Sequence, residues 1–200
     1  MVNPFLPDDE KVAAVRAALP ATGAGIYLNT GTAGPLPRET AAAMAEVAEW
    51  ELATGRAHVS LFPETFERMA EARAAVAAIL TSDIDTVALT HSTTDGMSIG
   101  SWGVDWRPGD RAVTSSLEHP GGLGPLYAAR DRFGVDLAIV DLDDGGDDEQ
   151  TLAAFEAAIT PGTRLVSISH VAWSTGAVLP VARITELAHA RGALVVVDGA

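Results

Sequence analysis

Two hundred residues with 48% hydrophobic content are enough for one sizeable domain, or for one domain and part of another. A net charge of −14 argues against a nucleic-acid partner or an anionic membrane surface, each of which requires clustered Lys and Arg. The chain has no cysteine, hence no disulfide framework and no thiolate site, and this fits a cytoplasmic protein.

The start, MVNPFLPDDEK, lacks the basic and then apolar pattern of a signal peptide, and the longest apolar runs are strand-length, too short for a membrane span. Lys11 is the only lysine, so these residues supply no amine chemistry within the body of the domain. The spacing of Val12, Val15 and Leu19 predicts a short amphipathic helix over Asp8 to Leu19, broken by Ala21-Thr22-Gly23-Ala24-Gly25. Residues 1–30 read as an N-terminal arm. Ile26-Tyr27-Leu28 is a short extended segment. It runs into Asn29-Thr30-Gly31-Thr32-Ala33-Gly34-Pro35, where small side chains let the backbone approach another group closely. Two helices are expected next. Pro35 to Thr54 has Met44, Val47, Ala48 and Leu52 on its apolar side, and Pro63 to Leu80 has Phe66, Met69, Val76 and Leu80, with Arg73 snorkelling at the stripe's edge.

From Thr86 onward the pattern alternates. Strands are expected at Thr86–Thr90, Arg111–Ser115, Val135–Val140, Arg164–Ser169 and Leu194–Val197. Between them, helices are expected at Asp95–Trp102, Gly121–Phe133, Asp148–Ile159 and Val181–His189. Such alternation implies an α/β fold, a three-layer α/β/α arrangement around a mostly parallel sheet, preceded by the helical arm. Residues 31–200 would form its large domain. Parallel sheets bind ligands at the carboxyl ends of their strands, here Thr90–Thr94, Ser116–His119, Ser169–Thr175 and Asp198. The carboxylate-rich run Asp141–Glu149 does not have the spacing of a calcium-binding EF-hand and reads as a solvated loop ahead of a helix.

Several residues at those ends can carry chemistry. His91-Ser92-Thr93-Thr94 either caps the next helix or offers its hydroxyls and free N–H groups to an anion, a phosphate above all. His119 lies in Glu118-His119-Pro120-Gly121-Gly122, either satisfied by backbone or presented to a ligand. Asp198 ends the apolar run Leu194-Val195-Val196-Val197, where a carboxylate needs a partner such as a cation or a protonated ring nitrogen. The five histidines show no H-E-x-x-H spacing, so no metal site is expected. A G-x-S-x-G elbow and a G-x-G-x-x-G turn after a strand are both missing from the sequence.

In this order the segments resemble the class V aminotransferase family, pyridoxal-phosphate enzymes of fold type I that include cysteine desulfurases, selenocysteine lyases and isopenicillin-N epimerase-like proteins. The resemblance runs from Ile26 to Ala200. It implies the large domain of a PLP-dependent transferase-like fold, incomplete at its carboxyl end. Residues 27–35 resemble the family's N-terminal active-site loop, which implies substrate binding at Asn29 and Thr30. His91-Ser92-Thr93-Thr94-Asp95-Gly96 resembles its phosphate turn, with Thr94 as the phosphate-binding residue and Thr93 assisting through its amide. Glu118-His119 matches the pair whose His, a catalytic residue, stacks on the pyridine ring. Asp198 matches the Asp that pairs with the ring nitrogen.

Two departures stand out. Trp173 occupies the place where desulfurases usually carry an Asn to the ring hydroxyl, leaving Ser174 or Thr175 to serve there, and this leans toward another branch of the family. The family's Schiff-base Lys lies beyond the Asp-bearing strand, past residue 200. The resemblance therefore implies the N-terminal part of a homodimeric pyridoxal-phosphate enzyme. Such an enzyme acts on an amino acid through an external aldimine, as a desulfurase, lyase, epimerase or aminotransferase. The alternative is a non-catalytic or truncated relative that binds cofactor weakly or serves only as a packing partner.

Overall fold

In the computed structural model, which describes residues 8–200, the chain forms two units, one ending at Leu89 and the other spanning Thr90 to Ala200.

The second unit is built on four parallel strands: β1 (Arg111–Ser115), β2 (Asp136–Val140), β3 (Thr163–Ser169) and β4 (Leu194–Asp198), in the spatial order β2-β1-β3-β4. Each is a short run rich in β-branched and apolar residues; the central strands β1 and β3 are buried on both faces, as parallel sheets require, while the edge strands β2 and β4 are partly exposed, Ile139 and Leu194 among their open positions. Parallel neighbours need crossovers, supplied by α5 (Pro120–Phe133), α6 (Asp148–Ala158) and α7 (Val181–His189). A further helix, α4 (Thr93–Trp102), precedes β1. Side chains alternate across the sheet into two cores. Val113, Val166 and Ile168 pack with Phe155, Ile159 and Ile184 of the α6 and α7 layer. Ala112 and Leu165 pack with Leu126, Ala129 and Trp106 on the other face. Helix α4 lies close on β4: a Cβ added at Gly100 would stand 3.2 Å from both methyls of Val196, so this contact favours a residue without a side chain. The expected three-layer α/β/α arrangement is thus present.

Register sets the site. Ser115 pairs with Val140, and Ser169 with Asp198, so the strands end together along one edge of the sheet.

The first unit is helical. It comprises α1 (Asp8–Ala18), α2 (Arg38–Thr54) and α3 (Leu61–Leu80), with short 3-10 turns at Pro20–Gly23 and Ile84–Thr86. Arg73 of α3 donates through Nε to the Val87 carbonyl at 2.9 Å and through Nη2 to that of Ile84 at 2.6 Å, tying the helix to the segment that follows it. Its stem leaves the apolar stripe, as expected, but its head is anchored rather than free.

One element differs from expectation. Thr86–Thr90 is not a strand. Val87 has extended geometry (φ −99°, ψ 122°), yet among the described residues this segment pairs with no neighbouring strand. Alternating Val87 and Leu89 favour an extended backbone, but a strand also needs a ladder partner for its N–H and C=O groups. Helix α4 also starts two residues earlier than expected, at Thr93 rather than Asp95, because Ser92 rather than Thr94 supplies the cap.

Candidate active site at the carboxyl edge of the sheet

The start of α4 comes first. Ser92 is extended and its Oγ accepts the Asp95 N–H at 3.1 Å, the usual geometry of a serine cap. Helix geometry leaves the Thr93 and Thr94 N–H groups, in the first turn, without intrahelical acceptors. The Thr94 hydroxyl lies against the first turn of α5. A Cβ built on Gly121 would overlap Thr94 Oγ1 and stand 3.0 Å from His119 Nδ1. Gly121 therefore lets the Thr94 hydroxyl, the α5 amino end and the His119 imidazole meet in one place. His91, by contrast, is fully exposed and reaches only Asp95, at 3.4 Å.

His119 caps α5. Its Nδ1 accepts the Gly121 N–H at 3.0 Å, which in the neutral ring assigns the proton to Nε2. The Trp173 ring stands edge-on to it, centroids 5.5 Å apart at 87°. Trp173 Nε1 donates to the Glu118 carbonyl at 3.3 Å. Beneath them the Glu118 carboxyl is buried, accepting from Ser115 Oγ at 2.6 Å and from Ser169 Oγ at 2.7 Å. Burial pushes its pKa up. The serine hydrogen bonds pull the other way, and the nearby Asp198 adds to the rise.

Asp198 ends β4, 8% exposed, with Oδ1 accepting the Ala200 N–H at 3.1 Å. No Lys, Arg or His among the described residues forms an ion pair with it. A buried carboxylate without a counter-charge is costly, so this position suits a cationic ligand group.

The remaining expected residues stand in loops and turns. Thr175 is exposed in the turn closed by the Val171–Val178 bridge, and its Oγ1 accepts the Ala177 N–H at 3.3 Å. Asn29 and Thr30 belong to the first unit and are exposed; the Asn29 carbonyl accepts the Ala33 N–H at 3.4 Å, and Tyr27 OH donates to the Ala33 carbonyl. Sequence reasoning did not foresee how the Glu118 side chain is held or the fit of Gly121. The signal for the first was Ser115 and Ser169, small hydroxyl residues ending two strands just where a buried carboxyl needs donors. Among the described residues no group of three or more His, Asp or Glu could hold a metal ion, and no helix is long and apolar enough to cross a membrane.

The family described as Aminotransferase class-V matches residues 26–200. A probable cysteine desulfurase of Methanothermobacter thermautotrophicus is 33% identical over 187 residues, covering 93% of this chain and 46% of the relative. Isopenicillin N epimerase of Streptomyces clavuligerus is 31% identical over 183 residues, 88% of this chain and 44% of that enzyme. Among solved structures, a mutant of C-DES with glycine covalently linked to its PLP cofactor superposes with a TM-score of 0.85 at 28% identity, over 97% of this chain and 50% of that one. An apo cysteine desulfurase from Thermococcus onnurineus gives 0.81 at 26% identity, over 100% and 49%. The chain spans about half the length of the curated relatives it matches.

Proposed function

This chain belongs to the aminotransferase class-V family, and on that premise we propose that it is the cofactor-binding part of a pyridoxal-phosphate-dependent enzyme acting on an amino acid. The observation that carries the reading is the buried, cation-free carboxylate of Asp198 in the same unit as the Thr94–Gly121–His119 cluster.

The residues fit this cofactor. The first-turn N–H groups of α4 and the Thr94 hydroxyl suit its phosphate, since a helix start carries partial positive charge. The Thr93 amide is one of those donors. His119, its Nδ1 held by Gly121, offers a fixed imidazole face for the pyridine ring. Asp198 supplies the negative charge that keeps a ring nitrogen protonated. When bound, the cofactor acts as an electron sink for bonds broken at the substrate's α or β carbon. Asn29 and Thr30 are proposed to bind the substrate, and Thr175 or Ser174 to reach the ring hydroxyl that Trp173 leaves without an Asn. The reaction is a desulfuration, elimination, epimerisation or transamination, with the amine-bearing Lys downstream of residue 200 and a homodimer as the working form.

Titration of the protein in its natural length with pyridoxal phosphate tests the reading. Asp198→Ala is expected to weaken binding at least tenfold, because it removes a buried charged partner, and Thr94→Ala severalfold. Wild-type affinity in both variants would sink it.

A further inference from the structure

Glu118 is a buried carboxyl that the proposed function does not use, and its contacts form a chain. Ser115 Oγ, at the end of β1, donates to one carboxyl oxygen at 2.6 Å, and Ser169 Oγ, at the end of β3, donates to the other at 2.7 Å. Ser115 Oγ in turn accepts the Leu117 N–H at 3.2 Å, fixing the turn out of β1. The Glu118 carbonyl takes the Trp173 indole N–H at 3.3 Å, although Trp173 is 55 positions away, and Trp173 then meets the His119 ring edge-on. One residue therefore joins two strand ends, the turn between β1 and α5, and the aromatic neighbour of His119.

We propose that Glu118 is a positioning residue, its side chain clamping the ends of β1 and β3 while its carbonyl, through Trp173, sets the orientation of the His119 imidazole. This rests on the reading that His119 faces the cofactor.

The chemistry of the clamp explains why a carboxyl serves. It must satisfy donors from both sides at once, and a flat, two-oxygen group does so. No cation among the described residues pairs with Glu118, and the ionisable group that acts on it is the Asp198 carboxylate. Burial and that carboxylate both favour the protonated form, against the pull of the two serines. A glutamine has the same shape and can also accept from one hydroxyl, so it should preserve the clamp, whereas alanine cannot.

The test compares Glu118→Gln, Glu118→Ala and Trp173→Phe in the protein at its natural length, with and without pyridoxal phosphate. The first readout needs no cofactor: the nitrogen-15 spectrum of the His119 imidazole. Wild type and Glu118→Gln should show one tautomer, protonated at Nε2, while in Glu118→Ala and Trp173→Phe the unsupported ring leaves the Gly121 N–H and should show averaging between the two. The second readout is cofactor affinity, expected to fall roughly fivefold in Trp173→Phe, the equivalent of one lost hydrogen bond, and to be close to wild type in Glu118→Gln. A purely structural role would lower the melting temperature of Glu118→Ala while leaving the His119 signal unchanged, and that result overturns the proposal. Should Glu118→Ala fail to fold, an unchanged His119 signal in Trp173→Phe, whose side chain is largely exposed, overturns it equally. If wild type binds no pyridoxal phosphate, the cofactor reading fails, and the His119 signal still decides for or against the clamp.

Discussion

The two units use apolar residues in opposite ways. From Thr90 onward a core forms: Val113, Leu126, Phe155 and Ile184 are fully buried, on the two faces of one sheet, while Ile99, Trp173 and Leu194 stay exposed. Before Leu89 they stay on the surface. Helix α2 buries no residue, α3 buries only Ala77, and Leu52, Ile79 and Phe62 are 86%, 82% and 66% exposed. Yet both regions carry apolar side chains at the spacing their elements require. Periodicity tells which face of an element seeks cover; it does not tell whether the cover is present. The sheet covers its own faces with four helices, whereas the stripes on α2 and α3 remain open.

The largest expected effect lies in the sheet unit. Phe155→Ala should destabilise it by about 3–5 kcal/mol, because the aromatic ring is lost from a fully buried position; urea denaturation measures this. A loss below about 1 kcal/mol would mean that this core is as loose as the first unit's surface.

Gly121→Ala should come next. The added methyl overlaps the Thr94 hydroxyl, and relieving such overpacking costs about 1–3 kcal/mol. Cofactor affinity should fall with it, because Thr94 and His119 must separate. Affinity unchanged at reduced stability would divorce the Gly121 contact from the site.

Removing the α4 cap by Ser92→Ala should cost about 1 kcal/mol, read from the denaturation midpoint.

Glu118 adds a pH dependence. Its folded-state pKa is raised, so the favourable neutral form is fully present below the ordinary carboxylate range, and its contribution is lost as pH rises through the folded value. Glu118→Gln should therefore gain stability relative to wild type as pH rises above that range. A difference that is flat across this window would mean that Glu118 ionises in the fold as it does in the unfolded chain.

The smallest effect belongs to the first unit. Leu52→Ala should change stability by less than about 0.5 kcal/mol. A loss as large as that of Phe155→Ala would erase the contrast between the units.

Much of the second unit was legible in the sequence. Arg111–Ser115 and Val181–His189 are bounded as expected, because β-branched runs and an amphipathic repeat punctuated by glycine define them locally. Ile159 was expected to end α6 but instead turns out of the helix to extended geometry, a one-residue difference of the kind frayed ends produce. Thr86–Thr90 could not be read correctly from its own residues, since a ladder partner is a property of the rest of the sheet. Thr94, His119 and Asp198 could be singled out because each stands where a regular element begins or ends, and chain order supplied the resemblance. The Glu118 clamp was harder to see. Ser115, Ser169 and Trp173 are far apart along the chain, and only the parallel register brings the two serines to one carboxyl.

The most direct test of the central claim is the absorbance spectrum of the protein in its natural length, before and after borohydride treatment. The account expects a visible cofactor band that disappears on reduction, with the cofactor then retained covalently on a lysine downstream of Asp198. No such band, even with added pyridoxal phosphate, would contradict the account and leave Thr94, His119 and Asp198 as features of the fold alone.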